Sequence, residues 1–202
     1  MIDSVVAIVG MRGAGKSTYL KRSLPSLTPY LLIDPVIDPH FEQIHRPQST
    51  QELYDLFASG TPQQVVSTPD NTASFDWMCS LVLAYGRQRL SRQERITLIV
   101  DEVDNFTTPY EIPENFRKCF AYGRHYSTNI VVCARRVVDI HKYIRSQIST
   151  WVVFPLNSED IKTLYTVVDF PQYPELKRTD RNCEYFTYNT ISHKFTKNLL
   201  TY

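Results

Sequence analysis

Hydrophobic positions along the chain follow two alternating rhythms. Short, mostly β-branched runs at Ser4–Val9, Tyr30–Asp34, Gln64–Ser67, Ile96–Val100, Val131–Ala134 and Trp151–Phe154 have the length and composition of buried strands. Between them lie stretches with helical spacing. Within Ala73–Leu90, residues Met78, Leu81, Val82 and Tyr85 follow the i, i+3, i+4, i+7 pattern, and Ser49–Ser59 reads as a shorter helix. Ile140, Ile144 and Ile148 recur at one-turn intervals. Beyond them, Asn157 or Ser158 can cap a helix with Glu159 and Asp160 in its first turn and Ile161, Leu164, Tyr165 and Val168 on one face. Pro35–Pro47 reads as a loop, because proline removes a donor and restricts the residue before it. Strands alternating with helices predict an α/β fold with a mainly parallel sheet. Cys183–Phe195 carries two β-like runs around Asn189-Thr190, a hairpin or lid added to the core. The expected organisation is a core over residues 1–170 and a C-terminal extension over 171–202.

Composition narrows the class. A chain of 202 residues with 43% hydrophobic and 21% charged residues suits one globular domain with a small appendage. A formal net charge of +1 excludes a strongly basic body, so any contact with nucleic acid has to come from a local patch or a ring of subunits. Cys79, Cys119, Cys133 and Cys183 are widely spaced without a C-x-x-C, which predicts reduced, buried thiols of an intracellular protein. The histidines at 40, 45, 125, 141 and 193 show no metal-ligand pairing. No apolar run approaches a membrane span, and the first strand runs directly into a glycine-rich loop, leaving no room for a signal peptide; a cytosol-like compartment is expected.

That loop is where the chemistry begins. Gly10-Met11-Arg12-Gly13-Ala14-Gly15-Lys16-Ser17 matches G-x-x-x-x-G-K-[ST] in full, after a strand and before a predicted helix at Lys16–Leu24. Glycines let the backbone curl so that several N–H groups face phosphate oxygens at the positive end of that helix. A chance glycine-rich turn would not carry this context. Gly10, Arg12, Gly13, Ala14, Gly15, Lys16, Ser17 and Thr18 are the expected contacts to ATP. Lys16 reaches the β- and γ-phosphates and the Ser17 hydroxyl ligates Mg²⁺.

The second half of such a site is a strand ending in acid. Ile96-Thr97-Leu98-Ile99-Val100 runs into Asp101-Glu102, and in a parallel sheet that end lies beside the triphosphate. Asp101 would hold the metal, usually through water, and Glu102 would polarise the attacking water; the bland alternative is a capped strand end. Hydrolysis also needs cations on the transferring phosphate. Arg124 and the Arg135-Arg136 pair are the candidates, against the reading of ordinary surface arginines.

Gly123-Arg124-His125-Tyr126, the strand Ile130–Ala134, Arg136, Asp139-Ile140, Ile144-Arg145-Ser146-Gln147 and Val152-Val153-Phe154 together resemble the FtsK–HerA superfamily of DNA-pumping ATPases. Within it they resemble the small genome-packaging ATPases of tailless, internal-membrane viruses. Asp34 also sits where that family often has an Asp-Pro ending its second strand. The resemblance covers roughly residues 1–165. It implies a three-layer P-loop NTPase fold of the RecA/ASCE type, with a mainly parallel central sheet and a small C-terminal β addition. It further implies a ring, commonly a hexamer, that hydrolyses ATP with Mg²⁺ to translocate double-stranded DNA into a preformed capsid. The location would be the host cytoplasm and a packaging vertex of the virion, with a capsid or membrane vertex protein as docking partner. Arg124 matches the family's trans-acting arginine. Arg135 stands where the family has a glutamine sensor, so the division of labour between Arg124 and Arg135 stays open. Rival readings are a filamentous-phage assembly ATPase of the zonula-occludens-toxin type, whose relatives usually carry a membrane span, a small-molecule P-loop kinase, and a non-hydrolysing nucleotide switch. For DNA contact, Arg87, Arg89, Arg92 and Arg95 cluster at a helix end that reads first as solvated, Lys142 and Arg145 lie further on, and the loop Asn105–Tyr110 follows the carboxylates.

Overall fold

The computed structural model describes residues 5–27, 29–60, 64–90, 94–168 and 173–201; Ser4, Arg92 and the expected boundary at 170 lie outside them. The strands are β1 (Val5–Val9), β2 (Tyr30–Ile33), β3 (Gln64–Ser67), β4 (Ile96–Val100), β5 (Thr128–Ala134), β6 (Thr150–Val153), β7 (Asn182–Asn189) and β8 (Phe195–Thr201). They form one eight-stranded sheet in the order β3-β2-β4-β5-β1-β6-β7-β8. Every pairing from β3 to β6 is parallel, and β7 and β8 are added antiparallel as a hairpin.

The helices are α1 (Lys16–Ser23), α2 (Thr50–Ala58), α3 (Thr72–Arg89), α4 (Glu114–Tyr122), α5 (Lys142–Gln147) and α6 (Ser158–Val167). Because successive strand side chains point to opposite faces, the sheet supplies two cores. Ala7, Val9, Leu98 and Val100 face α2 to α6, whereas Ile8 and Ile99 face α1 and the turn at Phe41. All of β4 is buried, as a central parallel strand covered on both faces requires. Three layers result, the expected α/β P-loop architecture. Among the described residues, no helix is long and apolar enough to cross a membrane, and all four cysteines are buried and free.

Several expectations need correction. Helix α4 was not legible: its start is capped from another helix, with Asp76 of α3 accepting the backbone N–H groups of Asn115 at 2.7 Å and Phe116 at 3.0 Å. Strand β5 begins at Thr128, ahead of its apolar stretch, because Thr128 pairs with Ile96 in register. The isoleucines at 140, 144 and 148 are all buried, but only Lys142–Gln147 is helical and Ile148 is already extended. Tyr165 does not join the inner face of α6; it is exposed and its hydroxyl takes the Tyr173 N–H at 2.5 Å. Arg89 is no solvated helix end, being buried against the Tyr85 ring at 4.9 Å and paired with Glu94.

Helix α3 lies close to β5 because residue 86 has no side chain. A Cβ there would collide with the Tyr126 carbonyl oxygen and meet Thr128 Oγ1 at 2.7 Å. Backbone atoms cannot yield as a side chain would, so Gly86→Ala is expected to lower stability by about 2 kcal/mol. A urea melt with a lower midpoint and unchanged slope would show this; an unchanged midpoint would refute it.

Candidate nucleotide site

The phosphate loop leaves β1 at Val9 and is pinned on both sides. Gly10 N donates to the Ala134 carbonyl of β5 at 3.3 Å, and Met11 N to the Pro155 carbonyl just past β6 at 3.0 Å. Gly13 (φ +71°) and Gly15 (φ +97°) take left-handed conformations that a side chain would strain. Gly15 is the N-cap of α1 and offers no side-chain acceptor, so the first-turn amides of the helix are left for an anion. Lys16 Nζ bends over the loop, donating to the carbonyls of Gly10 at 2.6 Å and Met11 at 3.1 Å. Burial lowers its pKa, against the opposing pull of Asp101 and Glu102. Gly13, Gly15, Lys16, Ser17, Thr18 and His40 line the pocket beside it.

Strand β4 delivers the acidic wall. Asp101 is 5% exposed, and its Oδ1 accepts the Glu102 N–H at 3.0 Å. Its carboxyl is raised to about 6, by burial first and by the neighbouring Glu102 second. Cys133 on β5 lies against it, and burial together with Asp101 pushes that thiol up. Glu102 itself has φ +47°, a left-handed turn that swings its carboxylate out of the strand line. Arg135, the first residue past β5, grips that carboxylate, with Nε at 3.1 Å and Nη2 on the same oxygen, while Asn105 Nδ2 lies 3.4 Å from the other. Arg136 points elsewhere, to Glu159 at 2.6 Å and Asp160 at 3.4 Å on α6.

Arg124 stands apart. It lines a cleft with Val5, His125, Thr128, Gln147 and Ser149, at the edge where β1 and β5 begin. The phosphate loop and Arg135 lie where those strands end, and at about 3.3 Å per residue the two edges are well over 10 Å apart. The cationic residues thus divide by edge: Lys16 and Arg135 on one, Arg124 on the other.

Three further residues join the site, of which only Asp34 is singled out by the sequence. Asp34, at the end of β2, is fully buried, and its carboxylate accepts the Asp38 N–H and the Arg46 guanidinium, the latter at 2.9 Å. That turn brings Asp38 beside the Ser17 hydroxyl. Burial pushes the Asp38 carboxyl up, but bonds from His40 and Ser17 outweigh it and hold it below its ordinary value. His40 donates or accepts between Asp38 at 2.7 Å and Thr18 Oγ1 at 3.3 Å. The Asp-Pro at 34–35 was the one available signal; Asp38 and His40 lie in a segment readable only as loop. The Ser17 hydroxyl and the Asp101 carboxylate are hard oxygen donors, whose chemistry fits Mg²⁺.

A family model described as an AAA domain matches residues 3–139, and the chain belongs to that family. Among solved structures it is similar to the genome packaging NTPase B204 from Sulfolobus turreted icosahedral virus 2 in complex with ATP-gammaS, with TM-score 0.76 and 16% identity over 97% of each chain. B204 from Sulfolobus turreted icosahedral virus, described as a DNA-packaging ATPase, gives TM-score 0.74 and 15% identity over 97% of each chain. ATPases 2 and 3 of EssC from Geobacillus thermodenitrificans give TM-score 0.58 and 15% identity, covering 98% of this chain and 40% of that one. No curated protein sequence matches the chain at a significant level. These neighbours agree with the FtsK–HerA-type resemblance carried by the sequence, and at such identities they establish the fold.

Asp101 makes the site a stability liability with a definite sign. Its folded pKa of about 6 exceeds the ordinary carboxylate value of 3.8, so the folded state binds the extra proton. Its contribution to stability is therefore greatest below pH 4 and is lost as pH rises through about 6, by roughly 3 kcal/mol in all. Asp101→Asn is expected to be more stable than the parent at pH 7.5 and to lose that advantage at pH 4. Denaturant melts at both values test it, and an equal difference at both would contradict it.

Proposed function

We propose that this protein is an ATP-hydrolysing motor that translocates double-stranded DNA, packaging a viral genome into a preformed capsid. The observation that carries the reading is the split of the cations. Glu102 and Arg135 sit across from the phosphate loop, while Arg124 lies at the far edge of the sheet, out of reach of its own subunit's nucleotide, which suits it to a neighbour's. A ring of identical subunits, commonly six in this superfamily, supplies that geometry. The packaging NTPases of the same fold support it.

The roles follow from position. The loop amides of residues 10–18 and Lys16 hold the triphosphate. Ser17 and Asp101 would hold Mg²⁺, which when bound would supply positive charge to the triphosphate. Glu102 accepts the proton of the attacking water through the oxygen that Arg135 leaves open, and Arg135 orients that carboxylate within its own subunit. Arg124 stabilises charge on the neighbour's transferring phosphate. Residues 1–170 form the motor core and 171–202 its C-terminal extension. The motor works in the host cytoplasm and at the packaging vertex of the virion, docked on a capsid or membrane vertex protein. A small-molecule kinase would have no use for Glu102 beside the phosphates or for a remote arginine.

The primary test is the ATPase rate per subunit against protein concentration, with and without linear double-stranded DNA. It is expected to climb steeply with concentration and again with DNA; a flat, DNA-indifferent rate would overturn the motor. Glu102→Gln should keep ATP affinity and lose at least a hundredfold in turnover. Arg124→Ala and Lys16→Ala should each be inactive, by about 10³-fold or more for the arginine. Mixed together they should regain activity, because intact Lys16 of one subunit then meets intact Arg124 of the next. A silent mixture of well-assembled variants would remove Arg124 from the neighbouring site.

A further inference from the structure

The C-terminal extension reaches back to the phosphate loop. A Cβ built on Gly13 would lie 3.2 Å from Nη2, 3.5 Å from Nη1 and 3.7 Å from Cζ of Arg178. The terminal nitrogens are nearer than the carbon between them, so the donor fork of the guanidinium, rather than its stem, is turned to the loop. It meets the loop at a left-handed glycine, where the backbone is bare.

The segment that carries Arg178 is fixed by the hairpin. Arg178 forms a β-bridge with Cys183, itself buried at the start of β7. Lys177 and Glu184 exchange backbone and side-chain bonds at 2.9 and 2.7 Å, and Thr179 N donates to the Asn182 carbonyl at 2.8 Å. Lys197 of β8 locks the outside, bonded to Glu184 at 3.0 Å and to the Glu175 carbonyl at 3.1 Å. Glu184 of β7 is therefore occupied by lysine and backbone, and Asp180 is the acid within the turn itself. Underneath, Tyr185 packs on Tyr19 of α1 and stacks on Phe154, with ring centroids 5.1 Å apart in each pair. The hairpin and the helix of the phosphate loop are thus packed directly against one another.

We infer that Arg178 is a nucleotide-binding residue that takes the phosphate chain in cis, so that the C-terminal extension forms part of the active site. The inference rests on the reading of residues 10–18 as a phosphate cradle. The planar fork matches phosphate oxygens bidentately, which a lysine cannot do. With Lys16 above the loop and Arg178 at its Gly13 side, two cations of one subunit flank the cradle, and the neighbour's Arg124 would be a third.

The test is equilibrium binding of a fluorescent ATP analogue, with ATP, AMP and inorganic tripolyphosphate as competitors, to the full chain. The forms compared are the parent, Arg178→Ala, Arg178→Lys and Lys16→Ala. Arg178→Ala is expected to weaken ATP and tripolyphosphate about tenfold while AMP changes little, and Arg178→Lys to recover part of the loss. Unchanged affinity in Arg178→Ala overturns the proposal. So does a loss for ATP with tripolyphosphate unaffected, which would put the arginine on base or ribose. A parent that binds no competitor, or Lys16→Ala that binds as well as the parent, overturns the phosphate cradle itself. Should the alanine variant melt early, Arg178→Gln, which keeps the stem and loses the charge, gives the same readings.

Discussion

The register of three parallel strands is the constraint on which the site depends. Val9 lies opposite Ala134, and Val100 opposite Val132, so β1, β4 and β5 end at one edge of the sheet. Gly10, Asp101 and Arg135 leave the sheet there within reach of one another. The same register sends Val5 and Thr128, and with them Arg124, to the opposite edge. A slip of one residue would turn every inward side chain outward, and it would also draw the acidic pair away from the phosphate loop.

Placing those groups together is costly to the fold. Asp34 and Asp101 are nearly fully buried, and Asp34 adds to the repulsion that raises the Asp101 pKa. Glu102 at φ +47° and the β-branched Ile37 at φ +55° both occupy a region that non-glycine residues seldom enter. Ile37 sits in the turn that Asp34 closes onto Asp38, beside Ser17. Ser127 and His193 take the same conformation in turns away from the pocket, so it is the burial of like charges at Asp34 and Asp101, more than backbone strain, that marks the pocket as a place where stability is given up for chemistry.

The hairpin β7–β8 alters how the core is viewed. Its strand β7 pairs with all of β6 through Phe186–Asn189, and Phe186 and Tyr188 are buried. The Tyr173 hydroxyl bridges the Leu156 N–H at 3.2 Å and the Phe154 carbonyl at 3.4 Å, next to the residues that pin Met11. The tail is thereby bonded next to the residues that anchor the loop that would hold the phosphates.

Local chemistry made much of this legible. The alternation of β-branched runs and amphipathic stretches gave the layered α/β fold, since burial on two faces demands apolar strands whatever their neighbours are. The spacing of Gly10, Gly15, Lys16 and Ser17 gave the phosphate loop, because backbone curl and dipole arise within that segment. Asp101 and Glu102 followed from a strand ending in acid. What the sequence could not decide depends on groups brought together from afar. Helix α4 is started by Asp76, some forty residues earlier in the chain. Arg135 rather than Arg136 reaches Glu102 because α6 offers Glu159 and Asp160 to the other. Asp38, His40 and Arg178 reach the loop only through turns closed by Asp34 and Glu184. Which edge of the sheet an arginine occupies is fixed by strand pairing, a long-range interaction that no local pattern records, and that pairing alone separates Arg124 from the site of its own subunit.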